Sequence, residues 1–291
     1  STDLWVEYGL KFIDEARAAR RPFFLYLAHN APHFPLQAPP EDIARWRGKF
    51  KAGWDALRQE RYARQLEMGL IDKTWPLSPR PDAVPAWSSL SAEDQDRYDH
   101  IMAIYAAVER MDRSIGTLVS GLRDRGELDN TLILFMSDNG GNAESGVRGR
   151  LEGSQPGDAL STVFVGECWA ALNNTPFVRY KHFTDEGGIA TPLTAHWPRG
   201  ISASRNGALE SQPGHVIDIM PTCLDVAGTS YPDAFKGRSV TPLEGVSLRP
   251  GFEGRPLGRA RPLFWEHEGN RAVLDGKWKL VRKGLLTGKS D

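Results

Sequence analysis

Cysteine is scarce: Cys168 and Cys223 are the only two in 291 residues. Two are too few for a disulfide framework and lack metal-ligand spacing, so they read as core or loop thiols and leave the compartment open. An excess of one charge is also missing. Thirty-six Lys and Arg against 37 Asp and Glu give a formal net charge of -1, which removes any overall electrostatic case for nucleic acid or an anionic membrane. Any anion site must be local. No window reaches the ~18 apolar residues of a membrane span, and "STDLWVEYGLKFIDEARAARR" has no signal-peptide layout. Internal repeats and low-complexity tracts are absent too. What is present is 40% hydrophobic and 25% charged residues, the composition of a globular protein able to bury a sizeable core.

Leu4, Tyr8, Phe12 and Ile13 recur at helical spacing and predict an opening helix, so the first strands of the domain are expected upstream of this chain. Pro22 to Ala28 reads as a buried strand, and "HNAPHFPLQAPP" after it as a proline-punctuated loop. A polar helical stretch is expected around Glu41 to Leu70, then a proline-rich excursion from Asp72 to Asp96. The run from Ile101 to Leu122 marks one apolar helix face. "LILFMSDNGG" follows: a short apolar run suited to a strand buried on both faces, ending in a polar cluster where open α/β sheets place ligands.

Helix, turn and buried strand in this rhythm predict a parallel sheet with right-handed connections. From Gly140 to Tyr180 no period persists, which suggests a lid or binding rim. "IATPLTAHW" resumes as a strand, and "HVIDIMPTCLDVAG" reads as a helix closed by Gly228. "RPLFWEHEGNRAVLDGKWKLVRK" alternates around Gly-Asn and Asp-Gly and predicts antiparallel strands.

Three clusters carry chemistry: "APHFP", "SDNG" and "KHFTDEGG", each expected at the end of a core strand and so able to face one crevice. Asp138 and Asn139 offer a carboxylate and an amide carbonyl, hard donors suited to Ca2+ or Mg2+. In isolation the same four residues would also make a turn. The order of "PFFLYLAHNAPHFPLQAP", "VERMDRSIGTLVSGL", "LILFMSDNGG", "RYKHFTDEGGIATP", "HWPRG" and "HVIDIMPTCLDVAG" resembles the type I sulfatases (arylsulfatases) of the alkaline phosphatase superfamily, over most of the chain.

That resemblance implies an α/β alkaline-phosphatase-like sandwich, with a mostly parallel mixed sheet between helices and a small C-terminal antiparallel sheet. Residues 1–245 would be the later part of the catalytic domain and 246–291 the start of the small subdomain. It implies that Asp138 and Asn139 ligate a divalent cation, usually Ca2+, that His33 donates to a sulfate oxygen, and that Lys181 holds the sulfate and its bridging oxygen. Glu186, Gly187 and Gly188 would be structural, and relatives commonly have arginine where this chain has Ala190. His29 reads as structural or supporting, and His182, His215 and Glu266 to Glu268 as outside the site.

Sulfatases of this type attack with formylglycine, made from the cysteine or serine of a C/S-x-P-x-R motif. Neither "ECWAAL" nor "PTCLDVAG" fits it. The resemblance thus implies hydrolysis of small-molecule or glycan sulfate esters by a protein whose nucleophile and paired aspartates lie outside this chain, the chain alone being inactive. The alternatives are a phosphonate monoester hydrolase or phosphodiesterase of the same superfamily, and a non-catalytic anion-binding relative.

Overall fold

A computed structural model of the chain describes residues 2–106 and 108–284. Among the described residues five α-helices precede the first strand: α1 (Thr2–Ala18), α2 (Pro40–Trp46), α3 (Gly53–Glu67), α4 (Ala92–Tyr105) and α5 (Val108–Asp124). The opening helix is as expected, but its inward face is not. Val6, Gly9 and Ile13 are buried, whereas Leu4, Tyr8 and Phe12 are half exposed. The run from Ile101 to Leu122 is two helices, because α4 serves the aromatic core while α5 packs on α1.

After α5 come β1 (Ile133–Met136), β2 (Arg150–Glu152), β3 (Thr162–Phe164), α6 (Gly166–Asn173), the single turn α7 (Glu186–Ile189) and β4 (Leu193–His196). The helix α8 (Ile219–Ala227) ends at Gly228, whose φ of 65° is the expected left-handed cap. A two-residue hairpin, β5 (Ala234–Phe235) and β6 (Arg238–Ser239), and the turn α9 (Arg249–Phe252) lead to β7 (Leu263–His267), β8 (Asn270–Asp275) and β9 (Trp278–Arg282). These last three form the expected antiparallel sheet in the order β7-β8-β9. The whole is mixed α/β, and among the described residues no helix is long and apolar enough to cross a membrane.

The main core is aromatic. Trp54 stands edge-on to Trp87 at 4.8 Å, Tyr98 at 4.9 Å and Trp169 at 5.4 Å. Trp169 lies on α6, so the aperiodic stretch from Gly140 to Tyr180 is in part core rather than rim. A short helix buried on every side has no amphipathic period to betray it. A second cluster joins Ile13, Leu122 and Leu128 to Phe23, Leu25 and Ile133.

Strand pairing differs from the expectation. β1 pairs with β4 antiparallel, Phe135 opposite Thr194, and every ladder among the described residues is antiparallel. β1 is only partly buried, with Phe135 exposed on one side. Pro22 to Ala28 runs without a ladder: Phe23 and Leu25 turn inward while Phe24 and Tyr26 are 77% and 81% exposed. An apolar run announces burial but carries no information on the direction of its neighbour.

Candidate active site

Backbone bonds stitch "SDNGG" to "KHFTDEGG". Just past β1, Ser137 O accepts from Thr191 Oγ1 at 2.8 Å, and Gly140 N donates to Gly188 O at 2.9 Å. Lys181 N then donates to Gly141 O at 3.0 Å. The buried Asn174 completes the seam, its Oδ1 accepting from Gly141 N at 2.8 Å and its Nδ2 donating to Arg179 O at 3.1 Å. Glycine is needed at Gly140 because the two segments touch backbone to backbone, a Cβ there standing 1.8 Å from Gly187 O; within the second segment, a Cβ on Gly188 would stand 2.0 Å from Phe183 O.

The third segment is held by β3. Leu36 N donates to Val163 O at 2.9 Å, and Phe34 stacks on Phe164 with ring centroids 4.4 Å apart. This brings His33 Nε2 to 3.3 Å from Lys181 Nζ, across 148 residues of sequence. His33 Nδ1 lies 2.8 Å from Phe34 O, and since a carbonyl only accepts, Nδ1 carries the proton and Nε2 presents its lone pair to the ammonium. Lys181 also lies 5.5 Å from the Phe34 ring centroid and 3.3 Å from Glu144 Oε1. Burial works against the Glu144 charge, but hydrogen bonds from His182 and Lys181 hold its carboxyl below the ordinary value.

Beside this seam Asp138 is exposed and Asn139 half-buried. Among the described residues the Asp138 carboxylate is paired with no cation; its partner is Asn139 Nδ2 at 3.0 Å. A carboxylate next to an amide, with no protein cation engaged, is a donor set that fits a hard divalent ion. His33 and Lys181 are therefore in direct contact, and the Asp138-Asn139 dipeptide adjoins Lys181 through the Gly140-Gly141 backbone.

Sequence reasoning missed Glu144 and Asn174, which lie in the aperiodic stretch and have no motif of their own. It also left out His182, which has Nε2 2.8 Å from Glu144 Oε1, and His267, whose Nε2 is 3.1 Å from His182 Nδ1. The forewarning was the run Glu266-His267-Glu268, whose residue types alone could suggest a metal. His29 is half-buried, its Nδ1 has no hydrogen-bond partner and burial lowers its pKa. Glu186 forms an ion pair with Lys279 of β9, tying α7 to the C-terminal sheet.

The mixed α/β elements and the small antiparallel C-terminal sheet are consistent with the alkaline-phosphatase-like α/β class. The chain belongs to the sulfatase family, whose model, described as "Sulfatase", matches residues 1–229. An uncharacterized sulfatase of Schizosaccharomyces pombe is 33% identical over 306 residues, covering 96% of this chain and 54% of that protein. An arylsulfatase of Klebsiella aerogenes is 34% identical over 246 residues, 80% of this chain and 52% of its own length. The chain thus spans about half the length of the curated relatives it matches. Among solved structures, Ps i-CgsB in complex with k-i-k-neocarrahexaose aligns with a TM-score of 0.60 at 25% identity, over 97% of this chain and 46% of that one.

Proposed function

We propose that this chain supplies the anion-handling part of a sulfuric ester hydrolase, which cleaves a sulfate monoester to an alcohol or phenol plus sulfate. The observation that carries this reading is the Lys181–His33 contact at 3.3 Å, built onto the same seam as Asp138 and Asn139 in a sulfatase-family chain. An ester oxygen arriving there meets an N–H of the Lys181 ammonium, a mobile point charge suited to an anion. A proton on His33 Nε2 would make that ring a second donor, aimed at an oxygen of the sulfate group on which charge develops.

Asp138 and Asn139 would hold the divalent ion, Ca2+ or Mg2+, which when bound supplies positive charge against the reacting oxygens. The nucleophile is assigned to formylglycine outside this chain. Cys168 is buried and its thiol is pushed up to about 11 by burial, the opposite of an activated sulfur. The name of the Klebsiella relative and the saccharide bound to Ps i-CgsB favour an aryl or saccharide alcohol as leaving group.

The test is turnover of an aryl sulfate and of a sulfated oligosaccharide by the complete enzyme. Asp138→Ala abolishes it, Lys181→Ala lowers kcat by about 10²–10³, and His29→Ala leaves substantial activity. The 291-residue chain assayed by itself gives none. Full activity in a folded Asp138→Ala variant would falsify the reading.

A further inference from the structure

Beside the Lys181–His33 pair, a second cluster forms where the tip of the β7–β8 hairpin meets the residue after Lys181. His182 Nδ1 is 3.1 Å from His267 Nε2 and 3.3 Å from Glu268 Oε2, and donor atoms of all three residues lie within 4.8 Å of one another. The backbone is committed to this meeting. His182 has φ 79°, a left-handed conformation that residues with a Cβ seldom adopt outside functional or tightly determined sites, while Glu268, φ 51°, forms with Gly269 the two-residue hairpin turn that presents its carboxylate. The buried Asn270 donates from Nδ2 to His182 O at 3.0 Å, so the hairpin is anchored here without using any of the three donor groups.

The other nitrogen of His182 is spoken for. Nε2 lies 2.8 Å from Glu144 Oε1, and with the carboxylate oxygen accepting, Nε2 carries the proton and Nδ1 turns a lone pair toward the hairpin. A carboxylate behind a ligating imidazole is the arrangement that orients histidine in metal sites. Two imidazole nitrogens and one carboxylate oxygen suit a borderline transition ion rather than Ca2+. Tetrahedral Zn2+ with bonds of about 2.0–2.1 Å sets its ligand atoms about 3.3 Å apart, close to the 3.1 and 3.3 Å from His182 Nδ1, while His267 Nε2 and Glu268 Oε1 stand wider at 3.9 Å.

We propose that His182 Nδ1, His267 Nε2 and the Glu268 carboxylate bind one transition-metal ion of the Zn2+ class, separate from the hard-ion donors Asp138 and Asn139. The ion ties the C-terminal sheet to the segment bearing Lys181, and Glu144, bonded to both Lys181 and His182, links it to the site. Because three protein ligands leave a fourth position open, it also accepts water or an anionic ligand.

The complete protein, freed of metal by chelation and kept in excess Ca2+, is titrated with Co2+ and then Zn2+. One equivalent of Co2+ should give the visible absorption of a tetrahedral site in wild type and in Asp138→Ala, and Zn2+ should bleach it. His267→Ala should abolish the band, and Glu144→Gln should weaken binding about 10–100-fold, as loss of an orienting carboxylate does. His267 and Glu268 are exposed, and circular dichroism checks that the variants fold. No band in wild type, or a band that survives in folded His267→Ala, would overturn the site.

Discussion

At the scale of single residues, the groups that matter most are the ones between the motifs. Asn174 has no motif and is 8% exposed, yet its amide bonds both Gly141 and Arg179 and so fixes the distance between the two loops. Asn174→Ala leaves two backbone groups without partners, so it should lower stability by about 1–3 kcal/mol. Urea denaturation measures that loss, and an unchanged midpoint would mean that water replaces the amide. Turnover in the complete enzyme should fall as well, because Lys181 N hangs on Gly141 O. The roles proposed for His33, Lys181, Asp138 and Asn139 were nameable from the motifs. Their neighbours were not, since Glu144, His182 and His267 acquire meaning only from each other's distances.

At the scale of elements, glycine shows how local order and long-range packing divide the work. Gly116 on α5 has open space around its Cβ position, so Gly116→Ala should stabilise the helix by about 0.4–1 kcal/mol through the unfolded chain. Gly140→Ala should do the reverse, costing about 1–3 kcal/mol as its methyl forces the "DNGG" and "EGG" loops apart. Thermal unfolding of the two variants side by side distinguishes the cases, and a stable Gly140→Ala would show the seam to be looser than its 2.9 Å bond implies. Elements with local punctuation were readable: α8 with its Gly228 cap, and the C-terminal strands with their turns. α6 was not, because burial on all sides leaves no polar face to reveal a helix.

For the molecule as a whole, pH tests the balance of half-buried imidazoles. Burial lowers the pKa of His29, His100 and His215 below the ordinary 6.5, with Arg47 adding to the effect at His100. Between the folded values and about 6.5 the unfolded chain binds more protons, so their contribution is fully present above that pH and is lost as pH falls through the window. The denaturation midpoint should therefore drop between about pH 7 and pH 5. It should drop again below 3.8, where Asp3, held by Arg110, and Asp96, held by Arg47, become protonated. A level midpoint from pH 7 to pH 5 would contradict the first step. Residue order alone determined the helix cap and the hairpin turns, because each rests on neighbours within a few positions, and the family, because its motifs follow one another in order along the chain. Tertiary structure alone decided the antiparallel pairing of β1 with β4, the inward face of α1, and the meetings of His33 with Lys181 and His182 with His267. Those pairs lie 148 and 85 residues apart, and their contact depends on how the whole core packs, a sum of many burial terms that no local pattern contains.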